Sequence, residues 1–314
     1  MKILVTGGAG FIGSHIVDAY INLGHEVIII DNLSNGEKKN INKKAKFYKA
    51  DICDENKIKK IFKKEKPEIV NHHAAQRDVG FSIINPLEDA RINVLGSINI
   101  IKNSIENGVH KIIYANSGGA MYGNPPWKDL PLKETQKIMP VNQYGLNKSL
   151  IELYLNMYNR EYGLDFVSLR YSNVYGPRQK GGEAGVIPKF IEKMLKNERP
   201  FIFGDGKQTR DLVYVDDVVR ANILVLKKTP SHIYNISTSR QISIRHLFYL
   251  IAKEIGFSQS PIFKEARPRE VRFSALSYDK AKKELGWEPK ISIEEGIKRT
   301  VEWFKEVSLR NKNK

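Results

Sequence analysis

The sequence predicts an α/β protein: a doubly wound parallel sheet with a smaller, interleaved C-terminal substrate-binding domain. Short apolar runs alternate with helical segments from Lys2 to Arg170. Glycines fill the turn after the first apolar run, and the alternation loosens beyond Gly176. Because parallel strands need crossover connections, a regular strand–helix alternation favours a parallel sheet with helices on its faces.

The first strand–helix–strand unit is defined by its apolar pattern. Lys2–Thr6 and Glu26–Ile30 are short apolar runs, which are typical of buried strands. In Ser14–Leu23 the apolar residues recur at helical spacing, and Gly24 ends the helix. The unit is therefore a βαβ motif whose second strand ends at Asp31.

The turn between the first strand and the helix carries three glycines that each have a physical use. Gly7 allows the tight turn, Gly10 lets backbone N–H groups approach a pyrophosphate, and Gly13 lets the helix pack on the strand. Asp31 lies where a carboxylate can accept hydrogen bonds from an adenine ribose. This arrangement predicts dinucleotide binding. Because a carboxylate repels a 2′-phosphate, NAD is favoured over NADP.

The rest of the chain continues this alternation up to a second domain. The next predicted strands and helices are Lys46–Ala50, Glu55–Lys64, Glu68–His72, Pro86–Asn107, Lys111–Ala115, Gln143–Tyr162 and Phe166–Arg170. We place the dinucleotide-binding domain at residues 1–171 and the substrate-binding domain at 172–314, with segments near 208–238 returning to the main sheet. Beyond the boundary we expect helices at Pro188–Lys196 and Asp216–Leu226, a strand at Ile233–Ile236, and, from about Ser243, two helices around the Arg-rich turn Ala266–Arg272.

The composition bounds the class of protein. With 314 residues, of which 41% are hydrophobic, the chain can bury one large core or two modest ones. The single cysteine, Cys53, excludes an internal disulfide and a cysteine-based zinc site. No segment resembles a signal peptide and no apolar run reaches membrane-spanning length, so we expect a soluble, cytoplasmic protein with no membrane partner.

The formal net charge of +16 raises the question of nucleic-acid binding. The lysines are scattered among acids, with no basic stripe interleaved with aromatic residues, so we expect no nucleic-acid partner. We interpret them as a solvated surface suited to high temperature, which also attracts an anionic nucleotide substrate. His72 and His73 have no carboxylate or cysteine at ligand spacing, which predicts no metal site.

A tyrosine and a lysine lie one helical turn apart in the segment Gln143–Tyr162. Tyr144 and Lys148 are four residues apart, so they share a face of the helix. A tyrosine with its ordinary pKa of about 10 is a poor base at neutral pH. A nearby cation, or the positive nicotinamide ring of NAD, favours the phenolate. In a chain that begins with a dinucleotide-binding unit, the pair predicts an acid/base site rather than an exposed Tyr–Lys pair.

Motifs spread over nearly the whole chain resemble the extended short-chain dehydrogenases/reductases, whose cofactor domain is a Rossmann fold. These motifs are Thr6–Gly13, Asp31–Asn32, Asp51–Ile52, His72–Gln76, Asn93–Gly96, and Tyr144 with Lys148. Two further motifs, Leu169–Arg178 and Arg210–Val218, resemble the nucleotide-sugar branch of that superfamily. Within this branch the chain resembles the UDP-glucose/UDP-galactose 4-epimerase family.

The resemblance implies a set of residues that bind NAD. Those expected at the pyrophosphate, the adenosine and the nicotinamide half are Gly7, Gly10, Phe11, Ile12, Gly13, Asp31, Asn32, Ser34, Asn35, Gly36, Asp51, Ile52, Ala74, Gln76, Asn93, Tyr144 and Lys148. Tyr171 is also expected to contact the cofactor. By the same resemblance, Tyr144 is the acid/base, and Lys148 binds the nicotinamide ribose while it tunes Tyr144.

The resemblance also implies a UDP-sugar site. The residues expected there are Ser117, Tyr144, Asn173, Val186, Phe201, Arg210, Arg267 and Ser274. Arg210 and Arg267 are expected on the diphosphate, because guanidinium forks match phosphate oxygens. Ser274 falls at the position that gates the sugar pocket, where a small side chain leaves room for an N-acetyl group. The family further implies a homodimer in which two helices per subunit form a four-helix bundle.

The chain departs from the family near the end of the strand that begins at Lys111. Counting back from Tyr122, the family's catalytic serine or threonine falls on Gly118. Either Ser117, one residue earlier, takes that role, or a water relays the proton. The 4,6-dehydratases of this branch have an Asp–Glu pair here, as acid and base for expelling water. This chain has Gly119–Ala120 instead, which favours a reaction limited to reversible oxidation.

The resemblance therefore implies an NAD-dependent UDP-glucose/UDP-galactose 4-epimerase that also accepts UDP-N-acetylhexosamines. Tyr144 would remove the 4-hydroxyl proton while hydride passes transiently from sugar C4 to bound NAD. Two alternatives stay open: an epimerase for another nucleotide sugar, such as a UDP-uronate, and a catalytically silent NAD-binding regulator. A silent protein has no need of Tyr144 and Lys148, which argues against the second alternative.

Overall fold

The computed structural model describes residues 1–180, 185–227, 229, 232–266 and 271–312. Its strands are β1 (Lys2–Thr6), β2 (Glu26–Asp31), β3 (Lys46–Lys49), β4 (Ile69–His72), β5 (Lys111–Ser117), β6 (Asp165–Tyr171), β7 (Asn173–Tyr175), β8 (Phe201–Phe203), β9 (Thr209–Arg210), β10 (Leu212–Tyr214), β11 (Ile233–Ile236), β12 (Ile242–Ser243) and β13 (Ile262–Lys264). Its α-helices are α1 (Phe11–Asn22), α2 (Glu55–Glu65), α3 (Val79–Ile84), α4 (Pro86–Ala90), α5 (Ser97–Glu106), α6 (Gly118–Met121), α7 (Gln143–Tyr162), α8 (Val186–Leu195), α9 (Val215–Leu224), α10 (Ile244–Ile255), α11 (Asp279–Leu285) and α12 (Ile293–Lys312).

A seven-stranded sheet has the order β3-β2-β1-β4-β5-β6-β11, and every neighbouring pair is parallel. In its centre β1 pairs with β2, Lys2 opposite Glu26, and with β4, Ile3 opposite Ile69. The strand order reverses beside β1, and ligands bind at the carboxyl ends of strands at such a switch point. The doubly wound parallel sheet predicted from the sequence is confirmed.

Helices cover both faces of this sheet. On one face α1 and α9 contribute Val17 and Val218, and on the other α2, α5 and α7 contribute Phe62, Ile101 and Leu155. Each of these side chains is at most 1% exposed. Because both faces are buried, the strands are almost continuously apolar, as the sequence pattern indicated.

Capping side chains and glycines set the ends of the long helices. Asn142 Oδ1 accepts the N–H of Gly145 at 2.9 Å where α7 begins, and Gly163, with φ +69°, ends it. Ser243 caps α10 in the same way, and Gly256, with φ +82°, ends that helix. The bounds of α7 are those predicted from the sequence. The prediction that Tyr144 and Lys148 lie on one face of this helix therefore applies to the observed helix.

A second core follows the sheet strands in the C-terminal part of the chain. Helices α8, α10 and α12 enclose Phe190, Phe248 and Val301, each at most 2% exposed. Three two-stranded pairs accompany this core, β7 with β10, β9 with β12 and β8 with β13. Because β7 begins two residues after β6 ends, this region starts at the carboxyl edge of the main sheet.

The backbone is helical from Pro86 to Glu106, close to the predicted bounds Pro86–Asn107, but a π-helical segment, Arg91–Gly96, lies between α4 and α5. Within this segment Asn93 exchanges two hydrogen bonds with the backbone of Gln76, both of 2.9 Å. Gly96 packs against Ile52, and a Cβ at position 96 would lie 2.7 Å from Ile52 Cδ1. The wider turn satisfies both contacts, and π segments of this kind are frequent at functional sites.

The region after Ser243 also differs from the sequence prediction. Its described residues form three helices, α10, α11 and α12, rather than two, and the short strands β12 and β13 accompany them. The third helix forms because Ile297 and Val301 lie one turn apart and bury the same face. Residues 267–270 of the predicted Arg-rich turn lie outside the described residues.

Candidate active site

The glycine turn lies at the carboxyl end of β1. Gly7 has φ +69°, and a Cβ there would lie 2.8 Å from the backbone nitrogen of Ala74, so only glycine fits. A Cβ on Gly13 would lie 2.3 Å from the carbonyl oxygen of Gly7. Helix α1 therefore starts directly against the turn at Phe11, and no described side chain caps its N-terminus at Gly10. The first N–H groups of α1 are thus available to an anionic ligand.

Asp31 lies at the end of β2 and is 7% exposed. Its carboxylate accepts the N–H of Ala9 at 3.0 Å and the N–H of Leu33 at 2.8 Å. Burial raises the pKa of Asp31, and these two hydrogen bonds oppose that shift. A Cβ on Gly36 would come within 2.8 Å of the carboxylate, so a glycine keeps the approach to it open. A carboxylate has about four lone-pair sites, and Asp31 therefore retains capacity to accept from ribose hydroxyls.

The residues predicted around the adenosine form a second hydrogen-bonded group. Asn32 Nδ2 donates to Asp51 Oδ2 at 3.0 Å, and Asn32 Oδ1 accepts the N–H of Ser34 at 2.9 Å. Burial raises the pKa of Asp51, but hydrogen bonds, one of them from Asn32, outweigh burial and lower it. Ser34 and Asn35 are exposed, whereas Ile52 is buried. The structure brings these predicted residues to one edge of the sheet, beyond β2 and β3.

Thr6 and His72 organise the neighbouring ends of β1 and β4. Thr6 Oγ1 accepts the N–H groups of His73 and Ala74, both at 3.1 Å, so its own proton is directed to His72 Nδ1 at 2.6 Å. The other ring nitrogen of His72 lies 3.0 Å from Ser97 Oγ. Burial lowers the pKa of His72 well below its usual value, so the ring is neutral. The histidine therefore fixes the backbone that carries Ala74.

Asp89 connects several predicted residues, although the sequence analysis did not identify it. It is fully buried and accepts from Gln76 Nε2 at 2.6 Å, Asn93 Nδ2 at 3.0 Å and Asn147 Nδ2 at 2.7 Å. Gln76 and Asn93 therefore bond to Asp89 and to each other. Asn147, which directly precedes Lys148, donates to Asp89 and so connects α7 to α4. This polar residue beside Lys148 is the feature of the sequence that pointed to a buried partner.

The structure brings Tyr144 and Ser117 together. The Ser117 side chain, at the end of β5, lies close enough to the Tyr144 phenol for hydrogen bonding with it to lower the pKa of the phenol. Burial raises the pKa of Tyr144, the bond with Ser117 lowers it, Asp89 raises it and the charge of Arg77 lowers it. Sequence reasoning missed Arg77, although it is the basic residue that directly follows Gln76 in the recognised motif. A phenol with a hydroxyl and a cation beside it can exchange a proton with a bound alcohol.

Lys148 lies on the same face of α7 and is 4% exposed. Its Nζ atom is 4.1 Å from the centroid of the Tyr114 ring, within the range of a cation–π interaction. Burial lowers the pKa of Lys148 to about 7, and the charge of Asp89 opposes this shift. The cation that lowers the pKa of Tyr144 is Arg77. Lys148 instead places a buried amine on the same face of α7.

Gly118 follows Ser117 at the start of α6. A Cβ at position 118 would lie 2.4 Å from Leu276 Cδ1 and 3.3 Å from the Arg170 carbonyl oxygen. A serine or threonine at 118 would therefore collide with Leu276 in the present packing. The hydroxyl group that lowers the pKa of Tyr144 belongs to Ser117, the last residue of β5. Ser117 is found by following β5 to its last residue. Counting back from Tyr122 leads to Gly118 instead.

A buried ion pair holds the end of β5 against α7. Glu152 Oε2 accepts from Arg170 Nε and from Asn116 Nδ2, both at 3.0 Å, and the two residues of the ion pair are each 3% exposed. Asn116 Oδ1 in turn accepts the N–H of Ser117 at 2.8 Å. Glu152 lies four residues after Lys148, on the same face of α7. Sequence reasoning overlooked this spacing. The network sets the position of Ser117 relative to the helix.

Two residues predicted to bind substrate lie in different places. Asn173 lies near the end of β5, and Arg210 lies beside the segment that follows residue 270. Asn173 is exposed, and its Oδ1 would lie 3.5 Å from a Cβ on Gly119. Arg210 Nη1 donates to the carbonyl oxygens of Thr209 at 2.7 Å and Val271 at 2.8 Å. These contacts orient the Arg210 guanidinium along the segment that follows residue 270.

Phe201 and Ser274 have different surroundings. Two ammonium groups lie near the Phe201 ring, with Lys193 Nζ 5.0 Å and Lys264 Nζ 3.8 Å from its centroid. Ser274 is 6% exposed, so it faces the interior. Arg267, predicted to bind a phosphate, lies outside the described residues.

Neither Tyr171 nor Val186 forms a described side-chain hydrogen bond with the other predicted residues, although Tyr171 lies opposite Ser117 in the pairing of β5 with β6. The Tyr171 hydroxyl accepts from Asn222 Nδ2 at 2.9 Å, and its ring stacks on His73 with centroids 6.0 Å apart. Val186 is half-buried as the first residue of α8. The Tyr171 side chain is therefore engaged within the protein, on the α9 side of the sheet.

Neither a metal cluster nor a membrane span is found in the part of the chain that the structure describes. Among these residues no three His, Cys, Asp or Glu side chains converge in a way that could hold a metal ion. None of the described helices combines the length and the apolar character needed to cross a bilayer.

Residues 3–237 match the model of the NAD dependent epimerase/dehydratase family, which is more than half of the chain. The chain belongs to this family. A Methanocaldococcus jannaschii protein is 51% identical over 304 residues, which cover 96% of this chain and 98% of that protein. The family assignment agrees with the resemblance seen in the sequence motifs.

Two crystal structures of relatives superpose on nearly the whole chain. The UDP-glucose 4-epimerase of Thermotoga maritima, solved with UDP-glucose, is 48% identical with a TM-score of 0.96, covering 98% of this chain and 100% of that one. The UDP-glucose 4-epimerase of Thermus thermophilus, solved with NAD, is 39% identical with a TM-score of 0.92, covering 97% and 99%. The glycine turn, the open helix N-terminus and Asp31 fit the cofactor that gives the family its name.

Proposed function

We propose that this protein is an NAD-dependent UDP-hexose 4-epimerase that interconverts UDP-glucose and UDP-galactose. The observation that carries the proposal is the placement of Tyr144 close to Ser117, where hydrogen bonding with Ser117 lowers the pKa of the phenol. A phenol and a hydroxyl in contact can pass the proton of a sugar hydroxyl between them. The names of the two superposed Thermotoga and Thermus enzymes support the same activity.

In this proposal residues 1–171 hold NAD and residues 172–314 provide the nucleotide-sugar site. The N–H groups at the start of α1 would hold the pyrophosphate, and Asp31 would accept hydrogen bonds from the adenine ribose. When bound, NAD supplies hydride acceptance and donation at sugar C4. The buried ammonium of Lys148 is placed to bind a ribose hydroxyl, as the family resemblance implies.

The proton chemistry falls to Tyr144 and Ser117. Tyr144 takes the proton of the sugar 4-hydroxyl as the C4–H bond breaks, and gives it back when the 4-keto group is reduced. Ser117 bonds to the phenol and relays or orients this proton. Because burial raises the pKa of Tyr144, the charge of Arg77 and the bond from Ser117 are needed to keep the phenolate accessible.

The residues after Ser117 support epimerisation over dehydration. Elimination of water from a 4-keto sugar needs an acid and a base beside the sugar. Gly119 and Ala120, which follow the strand end, carry neither. The intermediate can then only turn and be reduced from one face or the other, which yields the two C4 epimers.

Proton NMR of purified protein with UDP-glucose tests the proposal directly. We expect UDP-galactose to accumulate to an equilibrium mixture without added NAD, if the cofactor is retained through purification. A panel with UDP-N-acetylglucosamine, UDP-glucuronate and dTDP-glucose defines the range. Formation of a 4-keto-6-deoxy product, or no turnover of any UDP-hexose, would overturn the proposal.

We also propose that UDP-N-acetylhexosamines are substrates. Ser274 is buried and small at the position that the family resemblance assigns to the sugar gate. A small residue there leaves space beside C2 of the sugar. Turnover of UDP-N-acetylglucosamine at a rate within about tenfold of UDP-glucose is the expected result.

We further propose that the chain forms a homodimer through α7 and the helices before β5. Leu95, Leu146 and Leu153 on these helices are 61%, 54% and 64% exposed. Together they form an apolar face that a second copy would cover. Light scattering on the wild type should give twice the chain mass, and Leu146→Glu with Leu153→Glu should give the chain mass. Leu309→Glu, which alters an equally exposed leucine on α12, is the matched control.

A further inference from the structure

We propose that Leu276 is a positioning residue of the sugar pocket. Its side chain seats the segment 274–277 on the end of β5 by filling the space above Gly118, and Asp211 fixes its backbone. The inference rests on the proposed function, since it concerns the pocket in which that reaction would occur. It adds two residues, outside the acid/base group, that determine how the pocket is built.

The Leu276 side chain lies against Gly118, the residue that follows Ser117. Leu276 is 1% exposed and packs in a small cluster with Met121 and Leu132. Its Cδ1 atom lies where a side chain on Gly118 would begin, 2.4 Å from the Cβ position. The absent side chain at 118 and the large one at 276 are therefore complementary in volume.

The backbone of Leu276 is held from both sides. Its N–H donates to Asp211 Oδ2 at 3.1 Å, and its carbonyl oxygen accepts from Ser237 Oγ at 2.7 Å and Ser239 Oγ at 2.9 Å. Asp211 is fully buried, and its other oxygen accepts from the backbone N–H and the hydroxyl of Thr238, both at 2.8 Å. All of these Asp211 partners donate, so a carboxylate satisfies them and an amide cannot.

These contacts join two parts of the proposed sugar site. Ser117 directly precedes Gly118, and Ser274 lies two residues before Leu276. The fit between positions 118 and 276 therefore sets the spacing between the proton-relay hydroxyl and the proposed gate. A mismatch there is expected to change which sugars fit, and not only how stable the protein is.

A volume-exchange cycle tests this inference. Gly118→Ala adds a methyl group where Leu276 lies, Leu276→Val shortens that side chain, and the double variant restores the total volume. The readout is the ratio of kcat/KM for UDP-N-acetylglucosamine to that for UDP-glucose. We expect Gly118→Ala to change this ratio by about fivefold or more, because overpacking displaces the wall, and the double variant to return within about twofold of wild type. Leu130→Val, in the same cluster, is the control and should leave the ratio unchanged.

Asp211→Asn provides a second arm that does not depend on Gly118→Ala folding. The amide keeps the size of the carboxylate but turns a donor toward N–H groups, so Leu276 loses its anchor. We expect the KM for both UDP-sugars to rise about fivefold or more, with the bound NAD content unchanged. Additive effects in the exchange cycle, or variants that lower the unfolding temperature while the ratio and KM stay constant, overturn the inference.

The two proposals fail in different ways. Absence of turnover by the wild type contradicts the epimerase function alone. Calorimetric binding of the same two UDP-sugars then replaces kinetics as the readout. In that case the inference requires Gly118→Ala to change the ratio of the two dissociation constants and the double variant to restore it, and an unrestored ratio overturns it.

Discussion

Tyr144→Phe removes one hydroxyl from the candidate site and leaves the ring in place. The start of helix α7 does not depend on that hydroxyl, because Asn142 caps the helix and the Tyr144 backbone N–H donates to Ser82 Oγ at 3.2 Å. The substitution removes the titrating group whose pKa Ser117 lowers. The substitution therefore isolates the proton chemistry from the fold and from cofactor binding.

The expected loss follows from the role of the hydroxyl. Removal of a positioned acid/base costs about 10²–10⁴-fold in rate, which corresponds to roughly 3–5 kcal/mol of activation free energy. Ser117 still presents a hydroxyl to the sugar, so some turnover remains. We expect kcat on UDP-glucose to fall at least about a hundredfold, with the NAD content of the purified protein unchanged.

The assay is proton NMR of UDP-galactose formation, with bound NAD measured after denaturation. Tyr154→Phe, ten residues along the same helix, is the matched control, because its ring packs 6.3 Å from that of Tyr158 and away from Ser117. Near-normal turnover by Tyr144→Phe would refute the assignment. Equal losses in both variants would show a general effect of altering the helix.

Three further predictions concern stability, pH and substrate size. Burial holds the pKa of Lys148 at about 7, so we expect Lys148→Met to raise the unfolding temperature of cofactor-free protein at pH 7 while it lowers turnover. Because this folded-state pKa lies below the unfolded value, the penalty in the wild type is full below pH 7, and the difference between the proteins should vanish as pH rises to about 10. Arg77→Gln should raise the pKa of Tyr144 and move the kcat–pH profile upward, since it removes a cation that lowers that pKa. Ser274→Tyr should lower kcat/KM for UDP-N-acetylglucosamine about tenfold or more relative to UDP-glucose, because overpacking costs roughly 1–3 kcal/mol.

Each of these has a distinct control and a contradicting result. For Lys148, scanning fluorimetry across pH decides, and a temperature difference that does not depend on pH would contradict the buried-charge argument. For Arg77, the control is Arg91→Gln, which alters an exposed pair with Glu88, and identical profiles for both variants would remove Arg77 from the proton chemistry. For Ser274, equal loss on both sugars would show that residue 274 does not gate the pocket.

Local sequence patterns were sufficient for the sheet and for one side of the site. The glycine turn, the strand ending at Asp31 and the helix Gln143–Tyr162 depend on residues that are close in the chain. Apolar runs, turn glycines and caps act over a few residues, so their outcome can be predicted without knowledge of the rest of the molecule. The family resemblance then supplied roles for Tyr144 and Lys148.

The polar network beneath the site could not be predicted in this way. Glu152 meets Arg170, and Asp89 meets Gln76, only after helices and strands have packed. A single polar residue in a helix is usually interpreted as part of a solvated face. Only the packed structure shows that Glu152 and Asp89 are buried instead. The same holds for Gly118, because nothing in its neighbours along the chain shows that another segment would occupy its space.

The π segment Arg91–Gly96 constrains the number of residues in this part of the helix. Each residue of a helix rotates the chain by about 100°, so deletion of one residue here would turn Asn93 away from Gln76 or Gly96 away from Ile52. An insertion would do the same in the opposite sense. Relatives that keep both contacts must therefore keep the number of residues between them, even where the side chains in between are free to vary.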